Sequence, residues 1–172
     1  QGRNIELYLE TSLFDIKNAV QFAKAYYRQS VNLSVKDVTF RPSVTFGFAD
    51  KGLPYPELFS LGGQDSFLGF REDEFRGKQL FRGNIDVQYR LPFRIYFDTF
   101  ISISYGIGSI WKEFEVIRIS ELKHSVGFNI GFDTPIGPAK FSIGRAFYFL
   151  KNPNAVVWGP FQTYFSIGSK LF

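Results

Sequence analysis

Apolar and polar residues alternate strictly through most of this chain. Over 38–48, Val38, Phe40, Pro42, Val44, Phe46 and Phe48 share one parity, and Thr39, Arg41, Ser43, Thr45 and Gly47 share the other. Over 80–91, Phe81, Ile85, Val87, Tyr89 and Leu91 oppose Arg82, Asn84, Asp86, Gln88 and Arg90. Over 95–107, Ile95, Phe97, Ile101, Ile103, Tyr105 and Ile107 oppose Asp98, Ser102, Ser104 and Gly106. Over 123–132, Val126, Phe128, Ile130 and Phe132 oppose Lys123, Ser125, Gly127, Asn129 and Gly131. A period of two sends successive side chains to opposite faces of a sheet. Residues 5–13 and 161–171 follow the same rule. Residues 139–149 do so too, with one anomaly: Arg145 falls in line with Phe141, Ile143 and Phe147. An arginine on an apolar face needs a partner, an interface or an end to snorkel to. Residues 15–29 also fit an amphipathic helix, with Ile16, Ala19, Ala23 and Tyr27 on one side, but their neighbours favour a strand.

The pattern therefore predicts an all-β chain of about eight strands. The links at 36–37, 91–94 and 134–138 are tight, whereas 49–79, 108–122 and 150–160 are long. Alternating short and long links put all the short ones at one end of the sheet, the habit of an up-and-down transmembrane barrel. A soluble ligand-binding barrel also alternates, with its apolar face inward. Bulky apolar stripes would overfill so small an interior. The other stripes mix Gly and Ser with charges of both signs, which suits a hydrogen-bonded lumen. Phe93, Tyr96, Phe97, Trp111, Phe147, Tyr148, Phe149 and Trp158 gather near strand ends, as aromatic girdles do at membrane interfaces. The expected fold is a transmembrane antiparallel β-barrel, with residues 1–172 forming one membrane domain.

Composition sharpens this picture. Aromatics make up 19% of 172 residues, with 22 Phe, more than a small soluble core readily holds. No run of about 18 apolar residues offers a spanning helix. No signal peptide is legible at Gln1, as expected of a mature chain or a segment of a longer one. Cysteine is absent and His124 is the only histidine, which removes thiolate chemistry and leaves no basis for a histidine-rich metal centre or a Ser-His-Asp triad. The net charge of +4 comes without charge runs, so no nucleic-acid partner is expected. No Gly-x-Ser-x-Gly elbow occurs. His124 beside Ser125 reads as an interface residue in preference to a lipid-facing hydrolase pair. The glycines of GIGS and of Gly62–Gly63 open no helix after a parallel strand, and Glu72, Asp73 and Glu74 lack calcium-loop spacing. No catalytic residue, cofactor or metal is expected.

The glycine-punctuated loop 61–83, LGGQDSFLGFREDEFRGKQLFRG, interrupts two regular strands. SFLGFREDEFRG resembles the signature loop of the outer-membrane insertase and two-partner-secretion transporter superfamily, the bacterial surface antigen barrels. In particular it resembles the branch fused to patatin-like phospholipases. GNIDVQYRLP, FDTF at 97–100 and DTPIGPAKFSIG resemble later strands and turns of that family. FSIGSKLF resembles the closing strand, whose terminal aromatic the barrel assembly machinery reads. Phe165, Ile167, Gly168, Leu171 and Phe172 would carry that signal. The chain departs from the family pattern at Leu68, where Arg is usual, at Asp86 for Glu, at Phe100 for Gly, and in the distance from Gly168 to Phe172.

The resemblance implies an outer-membrane location, with contacts to the bilayer and lipopolysaccharide and a role in polypeptide translocation or insertion. A membrane anchor for a separate lipase domain is the alternative. It also implies that the loop residues Gly69, Phe70, Arg71, Glu72 and Gly77 fold into the barrel. There Arg71 would reach Asp98 or Asp86, with Arg90 a further lumen partner; the other reading is a solvated loop tip. The family barrel has about sixteen strands, within the usual range. This chain would supply half. The rest would come from outside the segment, from a second copy in a dimer or larger assembly, or not at all if eight strands close alone; a second copy is favoured because a closed eight-strand barrel is too narrow for an inward loop.

Overall fold

The computed structural model describes residues 2–12, 21–93, 96–113, 115–118, 121–135, 137–150 and 155–168. The described residues form ten strands: β1 (Gly2–Thr11), β2 (Ala23–Val35), β3 (Val38–Ala49), β4 (Phe59–Leu61), β5 (Phe75–Gly77), β6 (Gln79–Arg90), β7 (Asp98–Trp111), β8 (Lys123–Thr134), β9 (Gly137–Leu150) and β10 (Ala155–Ile167). Eight form one antiparallel sheet in the order β1-β2-β3-β6-β7-β8-β9-β10. β4 and β5 pair separately as a short ribbon inside the long connection between β3 and β6.

Two boundaries differ from expectation. The strand expected over 15–29 is described from Ala23 and runs on to Val35, while 13–20 lie outside the described residues. The link expected to be long at 150–160 is short, because β10 begins at Ala155. Gly159 and Pro160 look like a turn in sequence but sit inside β10, where the pairing with β9 slips between Trp158 and Phe161. A strand tolerates proline at an edge or bulge, where its missing N–H breaks no ladder bond. Among the described residues, β1 pairs only with β2 and β10 only with β9, so the sheet keeps two open edges.

Burial is inverted relative to a water-soluble sheet. Ile103 is 66% exposed and Phe128 is 44% exposed, whereas Asn129 and Ser142 are 0% exposed. Val87, Ile103, Phe128 and Ile143 lie side by side across four strands on the exposed face. An apolar surface this continuous marks contact with something other than water. Toward the long-connection end it finishes in rings: Tyr27, Phe46 and Phe81 on one side, and His124, Phe147, Phe149 and Trp158 on the other. Phe93 and Tyr96 stand exposed at the opposite end. Trp111, expected in the girdle, is instead buried, and its carbonyl accepts from Lys78 N–H at 2.9 Å.

The polar face is covered by the chain itself. Phe59, Leu61 and Phe67 from the loop pack on Leu80 and Ala146 of the sheet and form the hydrophobic core. Burying each large side chain contributes roughly 1.5–3 kcal/mol. The sheet's own apolar stripes take no part in this core. Phe100, where the family pattern has glycine, lays its ring over Gly131 across the β7–β8 ladder, covering backbone that the glycine leaves bare.

Candidate functional site: a loop folded against the polar face

The segment between β3 and β6 holds together locally before it meets the sheet. Phe70 stacks on Phe67 at 5.3 Å and meets Phe75 edge-on at 4.8 Å. Gly63 N–H donates to the Phe70 carbonyl at 3.0 Å, and Arg71 N–H donates to the Glu74 carboxylate at 2.7 Å. Gly62 and Gly69 have φ of +140° and +92°, a region that side-chain-bearing residues avoid. The spacing of glycines in the sequence reflects these reversals.

The loop then docks onto strands remote in sequence. Gln64 Nε2 donates to Ser142 Oγ at 2.9 Å and to the Lys140 carbonyl at 3.2 Å on β9. Lys140 Nζ pairs with Asp65 at 3.6 Å. Asn84 Nδ2 on β6 donates to the Ser66 carbonyl at 3.1 Å. Tyr164 on β10 makes two bonds with one hydroxyl: it accepts from Gly69 N–H at 3.0 Å and donates to the Phe70 carbonyl at 2.6 Å. Leu68 lies in a notch where Gly127 and Gly144 have no side chains; a Cβ at either would collide with it. Gly69 rests on the backbone of Arg145 and Ala146 so closely that any Cβ would overlap it.

Leu68 at the family's arginine position therefore has a physical reason. The wall it meets is glycine, and an apolar side chain fills the notch. The buried cation is elsewhere. Arg82, 8% exposed on β6, donates to Ser66 Oγ and to Thr45 Oγ1 at 3.3 Å. Thr45 separates it from Arg28 in the same cross-strand row. Beside Arg28 and Ser66 lies a polar recess of about 250 Å³, lined also by Arg41, Ser43, Asn84, Asp86 and Lys140.

The expected inward arginine takes a different course. Arg71 and Glu72 are exposed. Asp86 accepts from Ser104 Oγ at 2.7 Å and lies 4.0 Å from Arg41, so its partners are on the sheet itself. Asp98 sits eight residues down β7 from Gly106, the row that leads through Ser125 to Ala146 and Gly69, and that distance is roughly 26 Å at about 3.3 Å per residue. Arg71 is thus remote from Asp98, and Arg82 is the arginine buried at the loop. Arg90 is exposed at the short-turn end. Gly77 packs against the Trp111 carbonyl with no space for a Cβ. Phe165 and Ile167 are exposed on β10, and Gly168, at φ +118°, bonds to the Pro138 carbonyl at 3.2 Å. Leu171 and Phe172 lie outside the described residues.

Sequence reading passed over Arg82, Tyr164 and the Gly127–Gly144 notch. The one available signal was Tyr164 breaking the small-polar stripe of β10 with an aromatic. His124 and Ser125 point to opposite faces. The imidazole Nδ1 is 2.7 Å from the Tyr105 hydroxyl and stacks on Phe147, while Ser125 is buried on the inner side.

No curated protein matches the chain. The Omp85 superfamily domain matches residues 1–171. Apolar stripes turned outward, a polar face turned inward and a glycine-bent loop folded onto that face agree with this match over nearly the full length, and the chain belongs to the Omp85 superfamily, a superfamily of outer-membrane proteins.

Proposed function

We propose that this chain is the bilayer-embedded part of an outer-membrane device that translocates polypeptides or inserts them into the membrane. The observation that carries the reading is the inverted sheet: a hydrocarbon-compatible exterior and a polar interior with a loop bound to it. In lipid every backbone group must pair, so open edges need closure. We propose that eight further strands provide it, supplied by a second copy. With eight alternating strands, β1 and β10 run antiparallel. A twofold axis along the barrel would therefore set β10 of one copy antiparallel to β1 of the other. Two chains per detergent micelle, by scattering mass of the full-length protein, is the expected result; one chain per micelle removes the second copy.

The loop occupies part of the interior, which favours a second reading, a structural anchor with no transport of its own. The likeness of SFLGFREDEFRG to the patatin-fused branch supports that anchor role for a separate lipase domain. We assign no hydrolytic step to the chain, and its partners are the bilayer, lipopolysaccharide and, during biogenesis, the barrel assembly machinery. Planar-bilayer recording separates the two functions. A transport device gives discrete ion conductance that rises severalfold when residues 62–76 are excised. Silence with and without the loop identifies the anchor.

A further inference from the structure

Arg145 on β9 faces outward, in the stripe of Phe141, Ile143 and Phe147. Its outward neighbours are Val126, Ile143, Phe147, Trp158 and Phe161, with no carboxylate among them. A permanent cation on a lipid-facing surface is strongly disfavoured at the bilayer midplane and nearly tolerated near an interface. Arginine cannot shed its proton to escape that cost.

The site around it is built. The slip in register between Trp158 and Phe161 turns the Gly159 carbonyl toward β9, where it accepts from Arg145 Nε at 2.7 Å. Bulges re-aim backbone and side chains in this way. The guanidinium lies 5.1 Å from the Trp158 ring centre and 4.9 Å from that of Phe161, two cation–π contacts that fix its plane. Among the described residues its remaining N–H groups have no protein acceptor, and they form the fork that matches a phosphate. The aromatic ring row of His124, Phe147 and Trp158 begins two residues further along the strand, roughly 7 Å away. That row marks the interfacial level, where lipid phosphates lie.

We propose that Arg145, held by the Gly159 carbonyl and flanked by Trp158 and Phe161, binds the phosphomonoester of an anionic lipid head group on the outer surface of the sheet, in preference to the phosphodiester of a zwitterionic lipid. The proposal rests on the reading that the apolar face meets hydrocarbon. Trp158 is a built-in reporter, because a phosphate on Arg145 alters the field beside the indole.

The test uses the full-length protein folded into phosphatidylcholine vesicles with and without diphosphoryl lipid A. Trp emission and lipid retained in native mass spectra are the readouts. Wild type is expected to retain diphosphoryl lipid A about tenfold more than Arg145→Leu, with Arg145→Lys in between because it keeps the charge and loses the fork. Leucine suits a lipid-facing position, so this variant is expected to fold, which a heat-modifiable gel shift checks. Equal retention by wild type and Arg145→Leu overturns the proposal. So does inorganic phosphate in pure phosphatidylcholine vesicles if it reproduces the emission change, since the source is then a free anion. Failure of wild type to enter vesicles at all overturns the orientation itself, and is distinguished from the other outcomes by the gel shift.

Discussion

Gly69→Val is expected to free the loop from the sheet while leaving the eight-strand ladder in place. Gly69 has φ +92°, where a β-branched residue is strained by about 1–2 kcal/mol. It also abuts the backbone of Arg145 and Ala146, with no flexible side chain to move aside. Overpacking against rigid neighbours costs about 1–3 kcal/mol more. Together these weaken docking by about 2–5 kcal/mol, at least tenfold in the population of the open loop. Trypsin cleavage at Arg71, Arg76 and Lys78 is therefore expected to accelerate at least tenfold in detergent, with the heat-modifiable gel shift retained. Tyr164→Phe gives a milder version. It removes both bonds to the loop and leaves the Gly69 N–H unpaired, worth about 1–3 kcal/mol. Unchanged proteolysis in Gly69→Val would mean that the loop is a solvated tip and that its contacts with β9 and β10 are incidental.

Ile103→Arg has the second large effect, and it tests the orientation of the sheet. Ile103 lies in the middle of β7, 66% exposed, between Val87 and Phe128. If that face meets hydrocarbon, the substitution destabilises the protein in bilayers by about 2–4 kcal/mol. If it met water, an arginine there would be neutral or would improve solubility. Unfolding titrations in vesicles read the difference directly. A midpoint unchanged from wild type would invert the assignment of faces, and with it the case for a membrane protein.

The two substitutions probe different kinds of information. Ile103 owes its role to parity alone. Its face is fixed by Ile101 and Tyr105 two residues away on either side, and the all-β class and the grouping of Asn129, Ser125 and Ser102 on one face follow from the same arithmetic. The run of glycines at 62, 63 and 69 likewise announced a bent loop, because few other residues tolerate those backbone angles. The link expected to be long at 150–160 contains Gly159–Pro160, which lie inside β10. The pair is turn chemistry in isolation, but a bulge in an edge strand accepts the same residues.

What the loop touches was not legible. Leu68 reads as a departure from a family pattern until Gly127 and Gly144 are seen to leave a notch for it, and those glycines come from two other strands. Arg71 is the arginine that the motif singles out, yet Arg82 is the one that is buried, since only the docked loop decides which cation loses its water. Tyr164 meets Gly69 across 95 residues of sequence. Alternation is a local property of the backbone, set by the two-residue repeat of an extended chain, so the residues alone determined which side chains share a face. Contacts between a loop and a distant strand depend on register and on the space that other strands leave open, and these exist only once the sheet has assembled. The chain's own order therefore determined the strands and their inside-out faces, and the tertiary structure decided where the loop lies, which arginine it buries and which tyrosine holds it.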